Sequence, residues 1–194
     1  MGKSQKTIIK ISKSKRIRKD SKKETCSTSS SNFEKVLKKA QKEGLSTLDI
    51  NKILGPTSNF LGVFACDKIP LIRDSLHPTF LVINTDKSNS PGSHWILFRL
   101  DSRSLEIYDS LGFCDKRWIK FPKPLTNFLL RYRHTHKLLA IPRLQSDNSS
   151  TCGLFAVYFC LSRQKISFTE CLQKFSSDLL QNEIILSEEI KKLL

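Results

Sequence analysis

Cys152, His94 and Asp109 lie far apart in the chain, yet their residue types and settings suit attack on a carbonyl carbon. Cys152 follows a polar run, Ser149, Ser150 and Thr151, and precedes Gly153 and an apolar block, LFAVYFCL at 154–161. The three polar residues are good N-cap residues and the block is apolar on every side, so the pattern predicts a buried helix with Cys152 in its first turn. Unpaired N–H groups and the helix dipole at that end favour an anion, which biases a thiol towards thiolate, the nucleophilic form. A capped core helix with no chemistry fits the same stretch equally well.

His94 and Asp109 belong to a second stretch, SHWILFRLDSRSLEIYDSLGF at 93–113, which alternates like two strands joined by the turn Asp101-Ser102-Arg103-Ser104. His94, Ile96, Phe98 and Leu100 share one face of the first strand; Leu105, Ile107 and Asp109 share one face of the second. If Leu100 pairs with Leu105, residue 96 opposes Asp109, and His94 is its diagonal neighbour on the same side. A one-residue slip would part them onto opposite faces. A carboxylate beside an imidazole holds its tautomer and raises its basicity, which suits the partner of a reactive thiol. A partly buried histidine bonded to a carboxylate is also a common structural pair. On the same alternation Glu106 points away from Asp109, towards solvent.

The elements that must position these groups read as follows. Asn32 to Lys42 and Ser46 to Leu54 have helical patterns, the second capped by Ser46 with Asp49 three residues on, and Gly55-Pro56 ends it. NFLGVFACDKIP at 59–70 is apolar and then turn-like, and TFLVIN at 79–84 is a buried strand. Thr85 to Ser93 is a loop. After the Cys152 helix, Phe168 to Gln181 and Ile184 to Leu194 are helical in pattern, with Leu179, Leu180, Ile184, Ile185, Ile190, Leu193 and Leu194 placed on the core in preference to a partner. The layer order is α+β: a small, mostly antiparallel sheet packed on the central helix that carries Cys152.

The 194 residues, 39% of them apolar, suffice for one domain with a core. The formal charge of +15 is uneven: residues 1–32 hold ten Lys and Arg against Asp20 and Glu24. That stretch reads as a basic flexible arm, 1–32, ahead of a folded domain, 33–194. Its chemistry suits contact with nucleic-acid phosphates or nuclear import, and equally a solubilising tail. The six cysteines show no CxxC pairing, so neither a zinc ribbon nor a disulfide framework is indicated, and a reducing compartment is the simpler expectation. No apolar run reaches membrane-spanning length, and the start of the chain is rich in Lys and Ser where a signal peptide is apolar. Cys160 and Cys171 read as core, Cys26 as part of the arm, and Cys66 and Cys114 as poor nucleophiles lacking a helix N-terminus. His134 and His136, among Arg131, Arg133 and Lys137, fit no metal spacing and read as a basic surface for DNA or an acidic peptide.

Taken together, His94-Trp95, Asp109 before Leu111-Gly112-Phe113, Gln145, and Cys152-Gly153 before an apolar helix resemble, in chain order, the adenovirus endoprotease (adenain) family of cysteine peptidases. SHWILFRLD, LEIYDSLGF and LQSDNSSTCGLF carry the likeness; NFLGVFACDKIP and FLVINT extend it, so that it covers roughly Ser46 to Gln173. In type it is nearest the maturation proteases of virophages and Polinton-like viruses. The resemblance implies a papain-like fold with His94 as general base, Asp109 as its orienting acid, Cys152 as nucleophile and Gln145 as a donor to the oxyanion, Trp95 matching the family's Trp beside the histidine. It also implies cleavage of viral capsid or core precursors at glycine-rich sites by a monomer, no metal or organic cofactor, activation by DNA or a viral peptide, and a place in the virion, the host nucleus or a cytoplasmic viral factory. Two departures stand out. The acid is aspartate, as in the ubiquitin-like-protein (SUMO-type) proteases of the same clan, whereas adenain commonly has glutamate. The segment 131–139 also lacks the cysteine through which adenain's peptide activator is joined. A SUMO-type protease, and a silent DNA-binding virion protein on the same scaffold, are the alternative readings.

Overall fold

A computed structural model describes residues 27–72, 77–113 and 121–194; the basic arm up to residue 26, with Cys26, and Cys114 lie outside the described residues. Helix α1 spans Ser27–Glu43, starting earlier than the apolar pattern indicates, and α2 spans Thr47–Leu54. The expected cap of α2 is present: the Ser46 side chain accepts from the Asp49 N–H, and the Asp49 carboxylate accepts from the Ser46 N–H. The strands are β1 Phe60–Ala65, β2 Thr79–Asn84, β3 Trp95–Leu100, β4 Ser104–Tyr108 and β5 Lys137–Ala140, in that order across one sheet. Helix α3, Lys123–Arg133, precedes β5, and α4 Cys152–Ser162, α5 Phe168–Leu172 and α6 Leu179–Leu193 follow it.

The β3–β4 hairpin has the register read from its alternation, with Leu100 opposite Leu105 and Leu97 opposite Tyr108. Asp101 closes it: its carboxylate accepts from the N–H groups of Arg103 and Ser104. The sheet as a whole is mixed. The β2–β3 and β3–β4 pairs are antiparallel, whereas β1–β2 and β4–β5 are parallel. β1 forms from the 59–70 stretch that had shown no strand pattern, and its register breaks between Phe60 and Gly62, where Gly62 sits at φ +135°.

Both sheet faces are covered. Phe80, Val82, Leu97 and Tyr108 pack with α4, whose residues Cys152–Cys160 are all buried. Leu81, Ile83, Ile96, Phe98 and Ile107 pack with Leu125, Phe128 and Leu129 of α3. With no solvent-facing side left in the middle of the sheet, the expectation that Glu106 points to water is overturned: it is 3% exposed. Arg163, just past the end of α4, holds its carboxylate through Nε at 2.9 Å and Nη2 at 2.8 Å. Arg99 adds a bond at 2.8 Å, and the Tyr108 hydroxyl donates to the other oxygen. This cluster ties the far end of α4 to β3 and β4. Removing the carboxylate leaves the buried Arg163 guanidinium without its counter-charge, while Arg99 keeps Asp101 at 2.8 Å, so Glu106→Ala is expected to lose about 3–5 kcal/mol. Urea unfolding measures it; a midpoint equal to wild type would contradict the account.

The C-terminal pattern is also revised. The chain leaves α5 at Leu172, and Asp178, accepting from the N–H groups of Leu180 and Gln181, starts α6. Leu186 and Ile190 reach the core, but Leu180 (72% exposed), Ile184 and Leu194 face solvent rather than the core position expected of them. No helix among the described residues is long and apolar enough to cross a membrane.

Candidate active site

The start of central strand β3, the start of α4 and the loop before it meet at a cleft of about 650 Å³ that His94, Gln145 and Cys152 all line. His94 precedes β3 by one residue and Asp109 follows β4 by one. Strict alternation would carry both to the α3 layer with Ile96 and Ile107; beyond the strand ends the pleat no longer sets their direction, and His94 meets a sulfur that comes from the α4 layer. His94 Nε2 lies 2.7 Å from Asp109 Oδ1, across the diagonal that the hairpin register sets between positions 94 and 109. The Leu111 N–H donates to the same oxygen at 3.0 Å, so the carboxylate is fixed from two sides. With Nε2 engaged, Nδ1 is the ring nitrogen left for Cys152.

Burial alone would push the His94 imidazole down, because desolvation disfavours the cation. Hydrogen bonds and charge from Asp109 and Cys152 outweigh it and raise the imidazole to about 9. The other cysteines among the described residues are held as thiols by burial. Burial pushes the Cys66 thiol up, Cys160 to about 12 and Cys171 to about 11. None of them has an imidazole partner in its surroundings, whereas Cys152 does.

Thr151 occupies the N-cap of α4, but neither it nor Ser149 or Ser150 caps the helix with a side-chain bond. The Thr151 hydroxyl donates instead to Glu183 Oε2 of α6 at 2.6 Å, and the Ser149 hydroxyl bonds Thr151. The consequence is chemical: N–H groups at the start of α4, which have no carbonyl partner in the helix, are not taken up by a capping hydroxyl. Gly153 allows the close approach on the other side, since a Cβ there would stand 2.9 Å from Leu45 Cβ and 3.2 Å from Trp95. Trp95 takes a structural part as well as lining the cleft: its indole N–H donates to the Leu45 carbonyl at 2.8 Å.

Gln145 is buried and held at both ends of its amide. Ser110 Oγ donates to Oε1 at 2.6 Å, and Nε2 donates to the Ser149 carbonyl at 2.6 Å, leaving its second N–H unassigned. Asn182 of α6 donates to the Leu144 carbonyl at 3.2 Å and so steadies the same loop. Ser110, Asn182 and Glu183 were not legible as site residues. Ser110 had one signal, its place next to Asp109; the other two depend on how α6 packs. The second basic cluster, His134 and His136 at the end of α3, stands apart from the cleft lining. Among the described residues no group of three or more His, Cys, Asp or Glu is placed to hold a metal ion.

Comparison with known proteins matches the adenovirus endoprotease family to residues 60–183. The cysteine protease S273R of African swine fever virus (isolate Tick/Malawi/Lil 20-1/1983) is 31% identical over 107 residues, covering 50% of this chain and 38% of that protein. Its counterpart from isolate Pig/Kenya/KEN-50/1950, named a SUMO-1 cysteine protease, is 30% identical with the same coverage. The chain thus matches well under half the length of these curated relatives. A crystal structure of the ASFV pS273R protease aligns over 56% of this chain and 43% of its own, with a TM-score of 0.36 and 24% identity.

Proposed function

Because the chain belongs to the adenovirus endoprotease family, we propose that it is a viral-type cysteine endopeptidase with Cys152 as nucleophile. The observation that carries the reading is the imidazole of His94, bonded to buried Asp109 at 2.7 Å and partnered by Cys152 in one cleft. In the reaction the Cys152 thiolate adds to the peptide carbonyl carbon. The oxygen takes the electron pair and receives hydrogen bonds from Gln145 Nε2 and the N–H groups at the start of α4. Collapse of this intermediate breaks the C–N bond, and His94 gives its proton to the departing amine, leaving a thioester. His94 then draws a proton from water, the hydroxide adds to the thioester carbon, and collapse breaks the C–S bond, releasing the acid product and restoring the thiolate beside the imidazolium. Each step uses a group that the cleft supplies.

The substrates in this reading are capsid or core precursor proteins with glycines at the cut, and the +15 charge supports DNA as a polyanion that gathers enzyme and substrate. A second reading is processing of ubiquitin-like conjugates. It is favoured by aspartate at position 109 and by the SUMO-1 name of one relative. Incubating the full chain with viral precursor proteins and with SUMO conjugates, each with and without duplex DNA at low salt, separates the two. The expected result is cleavage of the precursors next to glycine, faster with DNA; release of SUMO with intact precursors would favour the second reading. A protein that binds DNA and cuts neither set would be the silent alternative.

A further inference from the structure

The residue after the acid links the two halves of the cleft. Ser110 is 1% exposed, and its hydroxyl donates to Gln145 Oε1 at 2.6 Å. Its carbonyl accepts from the N–H groups of both Leu144 and Gln145, each at 2.9 Å, so the backbone and the side chain of Gln145 are referenced to one residue. The turn that presents Ser110 is pinned in place. Gly112 N–H donates to the Asp109 carbonyl at 2.8 Å, and Gly112, at φ +83°, lies against Arg143, where a Cβ would come within 2.9 Å of the arginine Cβ. Arg143 Nε in turn donates to the Gln145 carbonyl at 3.0 Å.

From this geometry we infer that Ser110 is a positioning residue that sets the Gln145 amide for the oxyanion, so that consecutive residues orient the base and the oxyanion donor. The inference rests on the peptidase reading of the cleft. The physical reason lies in the amide's rotation. The Ser149 carbonyl can only accept, so it fixes which end of the amide is Nε2. That leaves one bond about which the group can still swing, and the Ser110 hydroxyl at Oε1 holds it. With both held, the second N–H of Nε2 keeps one direction. Without Ser110, a buried carbonyl oxygen loses its donor and the amide turns to find another.

Cysteine alkylation and peptide cleavage separate this role from a general structural one. Iodoacetamide forms an S–C bond with the thiolate as the C–I bond breaks and iodide leaves, so no oxyanion arises; peptide cleavage requires one. In Ser110→Ala, kcat on a Gly-Gly aminocoumarin peptide is expected to fall about 10- to 100-fold. KM and the Cys152 alkylation rate should stay within about twofold of wild type, since Gln145 acts on the transition state alone. Gln145→Ala should lose a similar factor, and the double variant no more than the larger single loss, because both act through one amide. Wild-type cleavage by Ser110→Ala, parallel loss of cleavage and alkylation, or additive losses in the double variant would overturn the role of Ser110. A Cys152→Ala protein that still cleaves the peptide would instead sink the peptidase reading on which it rests.

Discussion

A Cys152→Ala variant is expected to lose peptide cleavage to background, a fall on the order of 10⁵-fold or more, while folding as the wild type does. The size follows from the mechanism: without sulfur there is no thioester, and hydrogen bonds to an oxyanion cannot help a nucleophile that is absent. Alanine is the substitution of choice because the site admits it cheaply. Cys152 is the first residue of α4, its side chain is small, and Ala is a good helix former, so the helix and its contacts with Leu45 and Trp95 through Gly153 remain. Cys66, Cys160 and Cys171 cannot substitute, because burial holds each of their thiols protonated. A peptide assay beside circular dichroism or thermal unfolding checks both halves of the expectation. An active variant, or an inactive one that no longer folds, would count against the assignment.

The second large effect is expected at Asp109. Asparagine keeps an oxygen for the Leu111 N–H but removes the charge that opposes the desolvation of His94, so cleavage should fall about 10²- to 10⁴-fold. The pH profile should move too, and the sign is fixed. Desolvation lowers the imidazole, whereas Asp109 and Cys152 raise it, to about 9, so the wild type keeps an imidazolium to protonate the leaving amine until pH rises through about 9. Taking away the aspartate charge lowers that value, and the alkaline limb of kcat/KM should shift to lower pH in Asp109→Asn. The same bond bears on stability in the same direction: with the folded value above the ordinary 6.5, its contribution is complete below about pH 6.5 and lost as pH rises through about 9. An alkaline limb that stays in place in the variant would mean that Asp109 orients the ring without setting its charge.

The meeting of His94 and Asp109 could be read in advance because a hairpin carries its own register. Once Leu100 faces Leu105, the positions of residues 94 and 109 follow, and the bond between them crosses only fifteen residues. The Ser46–Asp49 cap and the apolar α4 were legible for the same reason, being local patterns. What stayed hidden was the second layer. Alternation gives the parity of Glu106 but not what covers that face; only the return of α4, with Arg163 at its end, makes the position buried. Helix α3 and β5 escaped because Pro, Arg and His interrupt the apolar residues of 121–140, and the four-residue β5 is only half-buried along Leu138–Ala140. Asn182 and Glu183 reach the loop before Cys152 across more than thirty residues, contacts that no local spacing announces. Cys152 itself was read correctly as the start of a buried helix with Thr151 at its N-cap, but the Thr151 hydroxyl turns to α6 instead of bonding the helix end.

The most direct test of the thiol and imidazole pair is the rate of Cys152 alkylation by iodoacetamide against pH, followed by mass spectrometry on intact wild type and His94→Ala. The pairing predicts that at pH 6 wild-type Cys152 reacts far faster than Cys66, Cys160 and Cys171, and that His94→Ala removes this advantage. A Cys152 that reacts no faster than the buried cysteines at pH 6, or whose profile is the same with and without the imidazole, would contradict it.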